Sequence, residues 1–258
     1  MFLVFNKEKI VSYMIALSTV VVLFFVASTF YEEPGESVQT ASNPVKELPV
    51  YSVDTDEKEV SLSINCAWNA DDIDLILETL NNHNTKITFF VVGDWAAKYP
   101  EALKKIYDAG HEIANHSDTH PHVTNLNYDE NVEQIKKCEY KVTEITGEGT
   151  SLYRGPYGEY NDTVVKAAKD MEHIAIQWSI DTLDYQSLTG EQMWERINAK
   201  LTNGSIILMH NGTQNTALSL DMILTNIEQK GFKVVPVSEL IYEENFNIDS
   251  NGVQHKNK

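Results

Sequence analysis

Cysteine is scarce in this chain and positive charge is in short supply. Only Cys66 and Cys138 occur in 258 residues, which excludes a disulfide-built scaffold and leaves one bridge between them as the sole covalent staple open to the chain. Lys and Arg number 20 against 38 Asp and Glu, a formal net charge of −18. Phosphates would be repelled by that excess, so nucleic acid and anionic lipid headgroups are excluded as partners. No internal repeat is present, which excludes a solenoid.

One stretch lacks charge altogether. Residues 10–30, "IVSYMIALSTVVVLFFVASTF", run for 21 positions without a charged side chain, close to the roughly 20 needed to cross a bilayer as a helix. Lys7 and Lys9 precede it and Glu32 and Glu33 come after it, so the excess of basic residues places the N-terminus in the cytoplasm and the rest outside. Residues 1–31 are therefore expected to form a cytoplasmic tip and a single transmembrane anchor. A cleaved signal peptide with a small-residue site at Ala27-Ser28 is the competing reading, and it would make the protein secreted. Residues 32–57, rich at first in Pro, Gly, Ser, Thr and Glu, read as a tether. Residues 58–241 form the working domain and 242–258 a polar C-terminal tail.

With 42% hydrophobic residues, the chain can bury one sizeable core. Short β-branched or aromatic runs at 59–65, 86–92, 112–115, 151–153, 174–179, 205–209 and 233–236 predict strands. Helical patterns lie at 71–82, 96–109, 128–146, 161–171, 190–201 and 218–230, the first and fourth opened by the capping residues Asp71 and Asn161. Strand and helix alternate, which predicts an α/β fold with a parallel sheet: either doubly wound or a distorted, incomplete (β/α) barrel of about seven strands.

In such folds the site lies at the carboxyl ends of the strands. Those ends carry, in order, Asn65-Cys66, Gly93-Asp94-Trp95, "NHSDTHPH", "YRGPYGEY", "SIDTLDY" and "MHNG". Three of the eight histidines fall within the seven residues 116–122. If the strand there runs into a helical turn, His116 and His120 face one way and offer two imidazole nitrogens to one metal. Arg154 could orient a carboxylate or carbonyl across the rim, or make a loop ion pair. Asp181 and Asp184 could be paired acid-base carboxylates, or a cap and turn residues. His210, after the apolar run "GSIILM", could be a general acid or a satisfied core histidine.

Taken together over about 58–241, these pieces resemble the polysaccharide deacetylases with a NodB homology domain, carbohydrate esterase family 4. The family pattern H-S-x-x-H is met by "HSDTH", R-x-P-Y by "RGPY", D-x-x-D-W by "DTLDY" with Tyr185 for Trp, and L-x-H by "LMH". The anchor and tether add a looser likeness to membrane-anchored Gram-positive members. The resemblance implies a NodB-type barrel that uses a divalent metal, zinc or another such as cobalt, to remove N-acetyl groups from an N-acetylglucosamine-type cell-wall or surface polysaccharide such as peptidoglycan. His116 and His120 would hold the ion, and Arg154 would brace the base. His210, tuned by Asp184, would protonate the departing amine, and Pro156, Tyr157, Tyr185, Asp181 and Trp68 would line the substrate and oxyanion side. The same site would also serve a glycan O-acetyl esterase.

The departure lies in the family's first motif, T-F-D-D, whose first Asp is the base and whose second is the third metal ligand. Here the residues are Ser63, Ile64, Asn65 and Cys66. An amide cannot take a proton from water near neutral pH, and loss of a positioned base removes about 10²–10⁴-fold in rate. A Cys66 thiolate could ligate zinc, or Cys66 could be a small packing residue. Two readings result: an enzyme of weak or altered activity, and an inactive relative that binds glycan or an envelope partner.

Overall fold

The structure is a computed structural model that describes residues 48–257. The expected anchor and residues 32–47 of the expected tether lie outside the described residues. Among those described, no helix is long and apolar enough to cross a membrane.

Strands and helices alternate as the pattern requires. In chain order they are β1 (Ser52–Val53), β2 (Glu59–Cys66), α1 (Ile73–Asn82), β3 (Thr88–Val91), α2 (Gly93–Lys98), α3 (Pro100–Asp108), β4 (Glu112–Asn115), α4 (Tyr128–Thr146), β5 (Leu152–Tyr153) and α5 (Asp162–Asp170). Next come β6 (Ile174–Ala175), β7 (Ile180–Asp181), α6 (Gly190–Lys200), β8 (Ile206–His210), α7 (Thr216–Gln229), β9 (Lys233–Val234), α8 (Val237–Leu240), β10 (Phe246–Ile248) and β11 (Val253–Lys256). The main sheet runs β6-β5-β4-β3-β2-β8-β7, with β9 alongside the start of β2, and all its pairings are parallel. This is a half-barrel of seven parallel strands, the distorted and incomplete barrel expected.

The central strand β2 shows why the sheet has two unlike faces. Val60, Leu62, Ile64 and Cys66 point one way, into the apolar layer shared with α1 residues Ile73, Ile76 and Leu80 and with Ile223 and Leu224 of α7. Ser61, Ser63 and Asn65 point the other way, as the two-residue period of a strand dictates. The Ser61 hydroxyl donates to Val235 O at 2.8 Å and the Ser63 hydroxyl to Ile207 O at 2.9 Å, so these buried polar groups are satisfied.

Three expectations need correction, and one open option is closed. The helix expected at 96–109 is two helices, α2 and α3, because Pro100 has no N–H and drives Tyr99 to φ −125, ψ 54, outside the helical region. The helix-opening residue of α1 is Asp72, not Asp71; Asn161 does cap α5, accepting from Val164 N at 3.0 Å. Cys66 and Cys138 are both buried free thiols, so the bridge is not made. Finally, the polar tail and the end of the tether are structured: β10 and β11 form an antiparallel hairpin, and β11 pairs in parallel with β1.

Candidate active site

β2 and β8 lie side by side in a register that sets Asn65 opposite His210. At the β8 end, His210 Nδ1 bonds Asp184 Oδ1 at 2.8 Å, and the His210 backbone N–H donates to Asp184 Oδ2 at 2.6 Å. The Thr216 hydroxyl and the Tyr185 N–H donate to the same carboxylate at 2.7 and 3.0 Å. A fully buried carboxylate thus takes four donors, which is what keeps an ionised acid tolerable away from water. With Nδ1 directed at Asp184, Nε2 of His210 is the nitrogen left for a ligand or leaving group.

At the β2 end the amide of Asn65 meets the guanidinium of Arg154. Nη1 donates to Asn65 Oδ1 at 2.9 Å, and Nη2 donates to Ser63 Oγ and to Gln177 O, each at 3.0 Å. Arg154 is completely buried, and burial alone lowers its pKa to about 9. Of its alternatives the loop ion pair is not made among the described residues; its guanidinium holds the Asn65 amide across the rim.

His116 and His120 are brought together, though not by a helix. Ser117 and His120 take left-handed φ of 66° and 57°, and the loop folds the His116 and His120 rings to 5.1 Å between centroids. His116 Nδ1 donates to Arg154 O at 2.7 Å, which fixes the tautomer with Nε2 free. Burial holds His116 well below its usual pKa, with His120 adding to the effect, and burial also lowers His120. Both imidazoles are therefore neutral at pH 7, the form that binds metal.

A third donor is missing. The Cys66 thiol lies in the apolar layer between β2 and the helices, and burial, with Asp72 contributing, pushes its pKa well above the ordinary range. Among the described residues no three His, Cys, Asp or Glu side chains converge where an ion could sit. A catalytic zinc site draws on three protein ligands, so the donor set fits such an ion incompletely and Cys66 is a packing residue. The two motif positions face opposite sides of a strand, which is the physical reason.

The rim is aromatic and open. Trp68, Tyr157 and Tyr185 are 49, 60 and 47% exposed. Trp68 and Tyr185 flank the His210 ring at 5.4 and 5.5 Å, and Tyr157 lies 4.6 Å from His120. Tyr157 has φ 59° inside the turn Pro156–Gly158, which Pro156 opens. His122 stacks on Tyr157 at 4.4 Å and bonds Glu159 at 2.8 Å, which Thr124 also reaches. Asp181 ends β7: its carboxylate accepts from Leu183 N at 2.8 Å and makes no pair with Asp184. Gln177 and Thr216 escaped the sequence reading, and Ser63 was read only as a motif position, though it lies two residues before Asn65 on the same strand face.

Residues 52–176 match the polysaccharide deacetylase family. The peptidoglycan-N-acetylglucosamine deacetylase of Bacillus cereus is 31% identical over 70% of this chain and 68% of that enzyme. The chain belongs to the polysaccharide deacetylase family. Members are hydrolases of N-acetyl amide bonds and are in general metal-dependent. Bacillus anthracis BA3943, a CE4 family pseudoenzyme, superposes with a TM-score of 0.73 at 34% identity, covering 81% of this chain and 73% of that one. A BA3943 mutant with restored enzymatic activity has the same TM-score at 35% identity, over 76% and 72%. The Bacillus subtilis protein YlxY is 33% identical over 76% of this chain; the match spans only 61% of YlxY.

Proposed function

We propose that this protein is a glycan-binding member of the deacetylase family, held at the outer face of the cell membrane, in which efficient hydrolysis has been lost. The observation that carries this reading is the pair at the end of β2. Asn65, bonded to Arg154 at 2.9 Å, stands where the family keeps its base, and Cys66 is turned into the core. An amide bonded through its oxygen to a guanidinium presents N–H groups to the pocket and has no atom basic enough to deprotonate water. The polymer is of the N-acetylglucosamine type, peptidoglycan in particular; the aromatic rims at Trp68, Tyr157 and Tyr185 offer faces for sugar rings, and the Bacillus cereus relative is named for that substrate. The uncharged run at 10–30 supports the anchoring.

The test is acetate release from N-acetylglucosamine oligomers with added Zn²⁺ or Co²⁺. Wild type is expected at background, and the Asn65→Asp, Cys66→Asp double variant is expected to release acetate about 10²–10⁴-fold faster. Release by wild type at the variant's rate would overturn the reading. A second reading, slow residual hydrolysis, is favoured by the His210–Asp184 bond of 2.8 Å, which keeps a proton donor in place.

A further inference from the structure

The guanidinium of Arg154 is a buried cation with no counter-ion among the described residues. Its acceptors are an amide oxygen, a hydroxyl and a carbonyl, its Nε is enclosed with no partner, and Cζ lies 3.9 Å above the Phe90 ring. The ring face offsets part of the charge. An unpaired buried charge is nonetheless costly, and the usual remedy is an anion. Asp184, the fully buried carboxylate of the rim, is engaged by four donors at the β8 end and none of them is Arg154.

Asn65 is oriented by this cation. A guanidinium only donates, so the atom it touches must be Oδ1, and Nδ2 is directed elsewhere. Nδ2 has no partner and is not among the enclosed polar atoms, so an entering molecule can reach it. The β2 end therefore offers N–H donors backed by one uncompensated positive charge. A divalent cation meets the wrong sign there. A monoanion suits it better than a phosphate dianion, because the site supplies a single charge within a chain of net charge −18.

We infer that the floor of the pocket at the end of β2 binds a carboxylate, whose oxygens take the Nδ2–H groups of Asn65 and whose charge neutralises Arg154. This deepens the glycan-binding reading and rests on it: the ligand brings the negative charge that an aspartate would otherwise supply. The carboxylate is either borne by a sugar of the polymer or free.

Calorimetric titration of the full chain with sodium acetate, N-acetylmuramic acid, N-acetylglucosamine and an N-acetylglucosamine oligomer tests this. N-acetylmuramic acid is expected to bind at least tenfold tighter than N-acetylglucosamine. Acetate binding as tightly as N-acetylmuramic acid would identify a free carboxylate as the ligand, and a tenfold advantage for the sugar acid a glycan-borne one. Asn65→Asp, which gives Arg154 a resident counter-ion, is expected to weaken both acids at least tenfold, with a melting temperature no lower than wild type. Asn65→Leu removes the donor without adding charge and should weaken the acids as well. Equal affinity for the two monosaccharides, or acids unaffected by Asn65→Asp, would overturn the inference while oligomer binding left the broader reading standing. Loss of all sugar binding by wild type would sink both.

Discussion

Asn65 and His210 are register partners on neighbouring strands and face one pocket, yet their surroundings differ in kind. Around His210 the buried carboxylate is fully answered: Asp184 accepts from four donors, one of them Nδ1 of the imidazole itself. Around Asn65 the cation of Arg154 is answered only by neutral acceptors, with Nε left over. The β8 end is thus equipped to move a proton, and the β2 end to hold a ligand. The two ends differ because the supporting shell of each is built from different elements.

Three predictions can break that contrast. In the Asn65→Asp, Cys66→Asp background, adding His210→Ala is expected to abolish the gained acetate release by about 10²-fold or more; undiminished release would show that the β8 end holds no proton donor. In wild type, Asp184→Ala strips the acceptor from several buried donors, and an unfolding free energy lower by about 3 kcal/mol is expected in urea. Thr216→Val, which removes a single donor to the same carboxylate, should cost only about 1 kcal/mol. An Asp184→Ala loss no larger than that of Thr216→Val would mean the β8 network is not cooperative.

Acid should weaken the fold as a whole. Burial holds His116 and His173 below their usual pKa, and burial together with Lys86 holds His111 at about 4. The unfolded chain protonates these groups near about 6.5, while the folded chain resists, so stability is complete above that value and is lost as pH falls. Each contributes about 1.4 kcal/mol per pH unit between its two values. His83 opposes this, since Asp221 and Glu228 outweigh its burial and raise it. Urea midpoints are therefore expected to fall between pH 7 and pH 5, and His116→Asn should flatten the slope by about one proton; an unchanged slope would show that His116 is not held neutral.

Much of the site was legible because parallel strands deliver their ends to one rim. His116, His120, Arg154, Asp184 and His210 all lie at or just past a strand end, and the fold brings them together there. Of the two readings of Cys66, the packing one was also legible: Val60, Leu62, Ile64 and Cys66 share one parity, and an apolar parity faces the helices. Other features had no local signature. The left-handed residues Ser117 and His120 that close the histidine loop are not glycines. The β1–β11 pairing joins Ser52 to Val253, segments at opposite ends of the domain that are too short and polar to announce a strand.

That last pairing also sets a load path. Any pull delivered from the residues before Leu48 enters the domain through 50–54. These are fastened by Val50 N to Ala175 O and Gln177 N to Val50 O at 2.8 and 2.7 Å, and by Tyr51 N to Gly252 O and Asp54 N to Gln254 O at 2.9 Å each. Because β1 and β11 run parallel, tension along β1 shears their bonds together instead of peeling them one by one. The β10–β11 hairpin is thus a mechanical clasp on β1, and trimming it would loosen the domain's hold on its own first strand.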